Sequence, residues 1–325
     1  MNSAVKTCSI HAPAKINLHL EIGGIRPDGF HNLDSLFVTL DFGDDLFFEL
    51  TGEQDYWNLK TQDLTPEQSF FNEIDEFSGK NNLITRAAAI FREKTGFREG
   101  IRCHLKKRIP AGAGLGGGSS DAAATLLALN CLAGTGLSQP VLHEMAATLG
   151  SDVPFFLQGG AAHVSGRGEN IVSLPPPPEY FIILVKPPFK SITSEAFRLL
   201  DLNREKNTAF FHNYHQNIIH NYFLTERNIW KTKPCEWLFF NDFLPILPKS
   251  ETYYKICGEL CKNGAEFTGL SGSGSCCFGL FSDKEAAAGV YNTMSSETNQ
   301  KESILYQNSL HFTFFLASRA NPVLK

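Results

Sequence analysis

The feature that most constrains this chain is a glycine-rich loop that leads directly into a helix. Five glycines fall within residues 112–118, and two serines and an alanine-rich apolar segment follow them. Glycine lets successive backbone N–H groups turn inward around an anion, because no Cβ stands in the way. Either Ser119 or Ser120 is predicted to cap a helix over 119–133, so that the helix dipole adds positive charge at the same point. The segment is therefore expected to bind phosphate rather than to serve as a flexible linker.

Two general nucleotide-binding motifs fit this loop only in part. Gly112, Gly114 and Gly117 satisfy the dinucleotide pattern G-x-G-x-x-G. However, the preceding segment 101–109 is basic rather than apolar, and no acidic residue follows about twenty residues later. The Walker pattern fits from residue 112 onward, except that Gly118 replaces its lysine. A nucleotide site here must take its cation from elsewhere in the chain.

Hydrophobic periodicity predicts both strands and helices. Residues 14–22 alternate strictly, so Lys15, Asn17 and His19 point together away from the apolar face. Further strands are predicted at 36–50 (broken by a turn at 43–45), 180–185, 276–281 and 310–316, and helices at 82–91, 119–133, 140–149, 194–200 and 251–262. The polar segment 51–80 is expected to be an exposed excursion, and 203–248 shows weak periodicity. Four prolines at 175–178 predict a boundary between a lobe at 1–174 and a lobe at 179–325.

Composition limits the partners. The net charge of −5 gives no general attraction to nucleic acid or to anionic membranes. Apolar runs are too short to span a bilayer, no signal peptide precedes Lys15, and the eight cysteines are scattered. We therefore expect a cytoplasmic protein (plastid-stromal in a plant or alga) that binds a small molecule, with no nucleic acid or membrane partner. Its oligomeric state is expected to be monomer or homodimer.

Four sequence blocks, in family order, resemble the GHMP small-molecule kinases. The loop Pro-x-x-x-Gly-Leu-Gly-Gly-Gly-Ser-Ser lies at 110–120, and the other blocks lie at 12–31, 150–155 and 268–275. The resemblance implies an α+β fold with a ribosomal-protein-S5-like N-terminal lobe and a ferredoxin-like C-terminal lobe. It also implies ATP-dependent phosphorylation, with Mg²⁺, of a 2-hydroxyl group on a cytidine-diphosphate substrate in isoprenoid precursor biosynthesis. Another GHMP kinase, a dinucleotide-dependent oxidoreductase and an RNA-binding module remain the alternatives.

Within this resemblance, Lys15 and Asp152 are the predicted catalytic residues. Asp152 would take the proton from the substrate hydroxyl, and Lys15 would orient that hydroxyl and neutralise phosphoryl oxygens. Without the family, Asp152 is also consistent with a helix cap before Pro154, and Lys15 with an ordinary exposed lysine.

The resemblance also assigns the binding residues. Phe30 would stack on the cytosine and His31 would hydrogen-bond its edge, although Phe30 also fits as core filler and His31 as a turn residue. The other predicted substrate-binding residues are Asn17, Phe197 and Gly272. Predicted ATP-binding residues are Pro110, Ala111, Gly112, Ala113, Gly114, Leu115, Gly116, Gly117, Gly118, Ser119, Ser120, Lys107, Asn82 and Leu83, with Ser119 or Ser120 also facing Mg²⁺. The role of Asp121, where relatives commonly have Asn, stays open.

Overall fold

The protein is described by a computed structural model over residues 6–65, 81–206, 229–300 and 313–318. Strands in these ranges are β1 (Thr7–Ile25), β2 (His31–Gln54), β3 (Trp57–Asp63), β4 (Glu99–Lys107), β5 (Ala161–Gly166), β6 (Asn170–Ser173), β7 (Phe181–Lys186), β8 (Phe267–Leu270), β9 (Cys277–Phe281) and β10 (Thr313–Ser318). Helices are α1 (Leu83–Thr95), α2 (Gly117–Ala133), α3 (Gln139–Leu149), α4 (Val153–Phe156), α5 (Thr193–Lys206), α6 (Ser250–Lys262) and α7 (Lys284–Gln300).

The first sheet is organised around the long strand β2. One edge of β2 pairs with β1, and the other pairs with β5 near its start and with β4 near its end, all antiparallel. Strand β3 extends the sheet parallel to β4, and β6 extends it beside β5. Helices α1, α2 and α3 cover this sheet with a core that includes Phe48, Phe91 and Leu126.

The second sheet has the order β10-β7-β9-β8. Helices α5 and α6 pack on it through buried apolar residues such as Leu200 and Ile256. A further apolar cluster joins Ile16 of the first sheet to Leu184 and Phe278 of the second. The two sheets therefore share a core, and the lobe boundary at 175–178, between β6 and β7, stays a prediction.

Most of the predicted elements are confirmed, with three corrections. Strand β2 is continuous through the turn predicted at 43–45, because these residues pair with β1. The irregularity in this part of the pairing is a register shift at residues 40–42. The excursion after residue 51 contains β3, which pairs with β4; residues 66–80 lie outside the described ranges. The cap of α2 is Gly116, so Ser119 and Ser120 lie inside the helix. Of the predicted strand at 310–316, only the part from residue 313 is described.

Candidate active site

The glycine-rich loop forms the cradle that its sequence predicts. Gly112, Gly114 and Gly116 have φ values of 66°, 76° and 73°, in the left-handed region that favours glycine. Gly117 begins α2 without a left-handed φ. The first N–H groups of α2 have no partner within the helix, because the first such bond is donated by Ser120 to the Gly116 carbonyl. The loop therefore presents backbone N–H donors at a positive helix end, which suits an anion.

Two other segments hold this loop in place. The Lys15 N–H donates to the Leu115 carbonyl at 2.9 Å, so the end of the loop is tied to β1. On the other side, Cys276 donates its N–H to the Ala113 carbonyl at 3.1 Å, and the Ser271 hydroxyl donates to the Gly114 carbonyl at 2.8 Å. Three of the family blocks thus meet at one point, although they are far apart in the chain.

Lys15 lies in this junction with its charge almost completely buried. Its Nζ lies 3.5 Å from Asp152 Oδ2, donates to Asn17 Oδ1 at 2.6 Å, and sits 4.4 Å from the centroid of the Phe37 ring. Burial lowers the pKa of Lys15, and the charge of Asp152 opposes that shift. The exposed lysine that an isolated β-strand pattern favours is therefore ruled out, because Asp152, Phe37 and the glycine-rich loop surround the side chain.

Asp152 lies at the open side of the same cluster. It precedes α4, but its side chain makes no capping hydrogen bond to that helix. Its carboxylate is 29 % exposed, whereas the side chain of Lys15 is 4 % exposed. An acid that neither caps its helix nor is enclosed remains available to accept a proton from a bound hydroxyl.

Asn17 connects the predicted catalytic pair to the block at 268–275. Its Oδ1 accepts from Lys15 and from the Gly272 N–H at 2.8 Å, and its Nδ2 donates to Ser35 Oγ at 3.0 Å. Asn241 donates to the carbonyls of Leu270 and Gly272, both at 2.8 Å. The side chain of Asn17 is thus fixed by polar partners on both sides.

The predicted base-binding residues lie at the start of β2 and on α5. Phe30 is 52 % exposed, so it is not core filler, and the Arg167 guanidinium lies 3.9 Å from its ring centroid. His31 stacks on Phe197 with centroids 4.9 Å apart, and its Nε2 lies 2.8 Å from Asp201 Oδ1. The sequence offered no sign of Arg167 or Asp201, since these contacts join distant segments.

Comparisons with known proteins agree with this geometry. Residues 82–160 match the sequence model of the GHMP kinases N terminal domain, and residues 236–300 match that of the GHMP kinases C terminal domain. The 4-diphosphocytidyl-2-C-methyl-D-erythritol kinase of Treponema pallidum (strain Nichols) is 37% identical over 286 residues, covering 86% of this chain and 92% of that protein. This chain belongs to the 4-diphosphocytidyl-2-C-methyl-D-erythritol kinase family.

Solved structures confirm the two-lobed GHMP kinase fold. A crystal structure of a 4-(cytidine 5'-diphospho)-2C-methyl-D-erythritol kinase superposes with a TM-score of 0.68 at 27% identity, covering 95% of this chain and 98% of that one. The L. major mevalonate kinase in complex with R-mevalonate reaches 0.71 at 11% identity, covering 100% and 99% of the chains, and so shares the fold alone. No helix in the described ranges is long and apolar enough to cross a membrane.

Behind the loop of this kinase family member, Lys107 joins two buried carboxylates. Its Nζ lies 2.5 Å from Asp44 Oδ2 and 2.7 Å from Asp121 Oδ2. Burial raises the pKa of Asp121 to about 8; Lys107 opposes that shift and Asp44 adds to it. Asp121, whose role the sequence left open, therefore pairs with Lys107 on the buried side of α2. The predicted contact of Lys107 with ATP stays a prediction, and the charge of Lys107 is already paired with buried carboxylates.

The start of α1 lies beside the loop, as the nucleotide assignment requires. Asn82 caps α1 by accepting from the Ile84 N–H at 2.7 Å. Leu83 Cδ1 lies 3.5 Å from where a Cβ on Gly118 would stand. Lys190 is not among the predicted site residues. Its Cγ lies 3.6 Å from the point where a Cβ on Gly112 would stand, so the side chain of a further cationic residue passes beside the loop.

Proposed function

We propose that this chain transfers the γ-phosphoryl group of ATP to the 2-hydroxyl group of 4-diphosphocytidyl-2-C-methyl-D-erythritol. The products are the 2-phosphate and ADP, in the non-mevalonate route to isoprenoid precursors. The observation that carries the proposal is the buried Lys15 ammonium, 3.5 Å from the Asp152 carboxylate and tied by its backbone to the glycine-rich loop. A base, a cation and a phosphate cradle therefore converge on one point, as phosphoryl transfer to an alcohol requires.

Each group has a defined task in the transfer. Asp152 accepts the proton of the substrate hydroxyl as its oxygen attacks the γ-phosphorus. Lys15, which is anchored by Asn17, holds the attacking oxygen and offsets charge on the phosphoryl oxygens. Because Lys15 is buried, its charge acts in a medium of low dielectric constant, where it is more effective than in water.

The loop fits the phosphates of ATP. The left-handed turns at Gly112, Gly114 and Gly116 let the backbone approach an anion closely. Mg²⁺, when bound, would neutralise charge on the phosphates. Ser119 is the better ligand of the two predicted serines, because the Ser120 hydroxyl is buried on the inner side of α2. One protein hydroxyl with phosphate oxygens is an ordinary Mg²⁺ environment.

The dinucleotide and RNA alternatives have less support. The strand before the loop, β4, and the strand after the helices, β5, each pair antiparallel with β2, and in the described ranges they do not pair with each other. A dinucleotide-binding unit instead pairs its first two strands directly and in parallel. Of the basic run at residues 106–108, Lys107 is buried and Arg108 pairs with Asp45, so it offers little to an RNA backbone. The cytoplasmic or plastid location and the oligomeric state stay predictions.

A coupled ADP-release assay tests the proposal. The cytidine-diphosphate substrate is compared with mevalonate, homoserine and galactose, each with ATP and Mg²⁺. We expect turnover of the cytidine substrate alone. Faster turnover of one of the other alcohols would assign the chain to a different GHMP kinase activity, and NAD-dependent oxidation without ADP release would overturn the kinase assignment.

A further inference from the structure

One histidine–carboxylate pair at the substrate end of the site has no part in the phosphoryl transfer described above. His31, the first residue of β2, places its Nε2 2.8 Å from Oδ1 of Asp201 in α5. The two residues are 170 positions apart in the chain. Phe197 stands one helical turn before Asp201, on the same face of α5, and stacks on the His31 ring. Stacking on Phe197 therefore sets the plane of the His31 imidazole, and the contact with Asp201 sets its rotation within that plane.

The carboxylate also fixes which nitrogen carries the proton. An ionised carboxylate only accepts hydrogen bonds, so the His31 nitrogen that faces Asp201 must be an N–H. In a neutral imidazole the other nitrogen, Nδ1, is then an acceptor. Among the described residues, none supplies a hydrogen bond to that Nδ1. His31 therefore presents an acceptor with a set direction to a ligand.

That acceptor distinguishes cytosine from uracil and thymine. Cytosine carries an exocyclic amino group, which donates, where uracil and thymine carry a carbonyl oxygen, which accepts. An Nδ1 lone pair attracts the amino group and repels the carbonyl oxygen. A site that hydrogen-bonds a substrate group rejects analogues that lack it, because its own polar group is left unpaired.

We propose that Asp201 is a positioning residue that makes this site selective for cytosine over uracil by holding His31 in the Nε2–H tautomer. The inference rests on the proposed function, since it supposes that a cytidine diphosphate binds beside Phe30 and His31. Asp201 acts through His31 and does not touch the substrate.

The helix that carries Asp201 has other anchors, so removal of this carboxylate should not detach it. One turn further along α5, Arg204 donates to the carbonyls of Ile22 and Gly23, the latter at 2.9 Å. Arg204 also lies 3.3 Å from Asp242. The buried side chains of Ala196 and Leu200 hold the same helix against the second sheet. We therefore expect Asp201→Ala to fold.

The same sheet provides a matched control. His163 Nε2 of β5 lies 2.8 Å from Asp34 Oδ1 of β2, with exposure close to that of the His31–Asp201 pair. Asp34→Ala removes a carboxylate of the same kind from a histidine outside the predicted base-binding set. It therefore reports what the loss of an ordinary His–Asp pair does.

The test compares kcat/KM for the cytidine substrate and for its uridine analogue at about pH 8, where an ordinary imidazole is neutral. We expect the wild-type protein to prefer cytidine, and Asp201→Ala to reduce that preference by about 5- to 150-fold. The KM for ATP should be unchanged, and Asp34→Ala should leave the preference intact. In the wild-type protein, ¹⁵N chemical shifts of His31, assigned with His31→Gln, should show protonation at Nε2.

Each contrary outcome has a distinct meaning. An unchanged cytidine preference in Asp201→Ala, or protonation of wild-type His31 at Nδ1, would overturn the role of Asp201 while leaving the kinase assignment in place. A purely structural pair would lower the melting temperature and impair both nucleoside substrates equally, which also overturns it. If the wild-type protein does not phosphorylate the cytidine substrate, both the proposed function and this inference fail.

Discussion

Replacing Gly114 with alanine should separate the two loops that form the phosphate cradle. Gly114 has a φ of 76°, and a left-handed alanine costs about 1–2 kcal/mol. A Cβ here would lie 2.0 Å from the Ser271 carbonyl oxygen, whereas ordinary contact begins at 3.4 Å, so the backbones must move apart by about 1.4 Å (3.4 minus 2.0). Asn241 holds the Ser271 loop through the carbonyls of Leu270 and Gly272, so that loop cannot give way easily. A displacement of about 1 Å can cost 10²-fold in rate.

We therefore expect Gly114→Ala to lower kcat/KM for both substrates by about 100-fold or more. Steady-state kinetics and chemical denaturation would be measured together. Gly134→Ala is the matched control, since Gly134 has a φ of 62° and its Cβ would meet nothing within 4 Å. Both variants carry the backbone cost, and only Gly114→Ala carries the clash. Equal kinetics for the two variants would refute the idea that the close approach of the loops positions the phosphates.

Three further predictions concern the base-binding end of the site and the buried charges behind the loop. Phe30→Ala should raise the KM for the cytidine substrate by about 5- to 150-fold and spare ATP, since stacking is worth ~1–3 kcal/mol and the ring is exposed; a melting temperature that falls with equal effects on both ligands would contradict it. Lys107→Met should lower the free energy of unfolding by about 3–5 kcal/mol, because two buried carboxylates lose their cation. Asp121→Asn should instead become more stable relative to wild type as pH rises from 3.8 to about 8, because the folded-state pKa of Asp121 is raised and its ionisation opposes folding in that range. Denaturation at several pH values measures the last two predictions, and a difference between Asp121→Asn and wild type that stays constant with pH would contradict the last one.

The sequence alone predicts what depends on local pattern. The strict alternation at 14–22 predicts β1, and the alanine-rich runs predict α1 and α2. The positions of Lys15 and Asp152 come from the family resemblance, and the structure brings them together. The cap of α2 was predicted wrongly, because the chain supplies a left-handed glycine at 116 where a serine side chain would ordinarily serve.

Features that depend on distant pairing could not be predicted. Strand β3 has only a short alternation, with Trp57, Leu59 and Thr61 on one face, and its pairing with β4 identifies it as an edge strand of the sheet. Lys15 lies beside Asp152, and its neighbour Asn17 accepts a hydrogen bond from Gly272; both partners come from segments more than a hundred residues later. Asp121 likewise pairs with Lys107 of another element, and Asp201 pairs with His31 of another element. A single sequence has no local signature for such contacts.

The central claim is that Asp152 removes the proton from the substrate hydroxyl while Lys15 and the loop hold the phosphates. The most direct measurement is the single-turnover rate of Asp152→Asn together with its ATP affinity. Asparagine keeps the size of the side chain and removes its basicity, and a general base contributes typically 10²–10⁴-fold. We predict a rate lower by about that factor, with ATP binding close to wild type. Retention of more than about a tenth of the wild-type rate would contradict the claim.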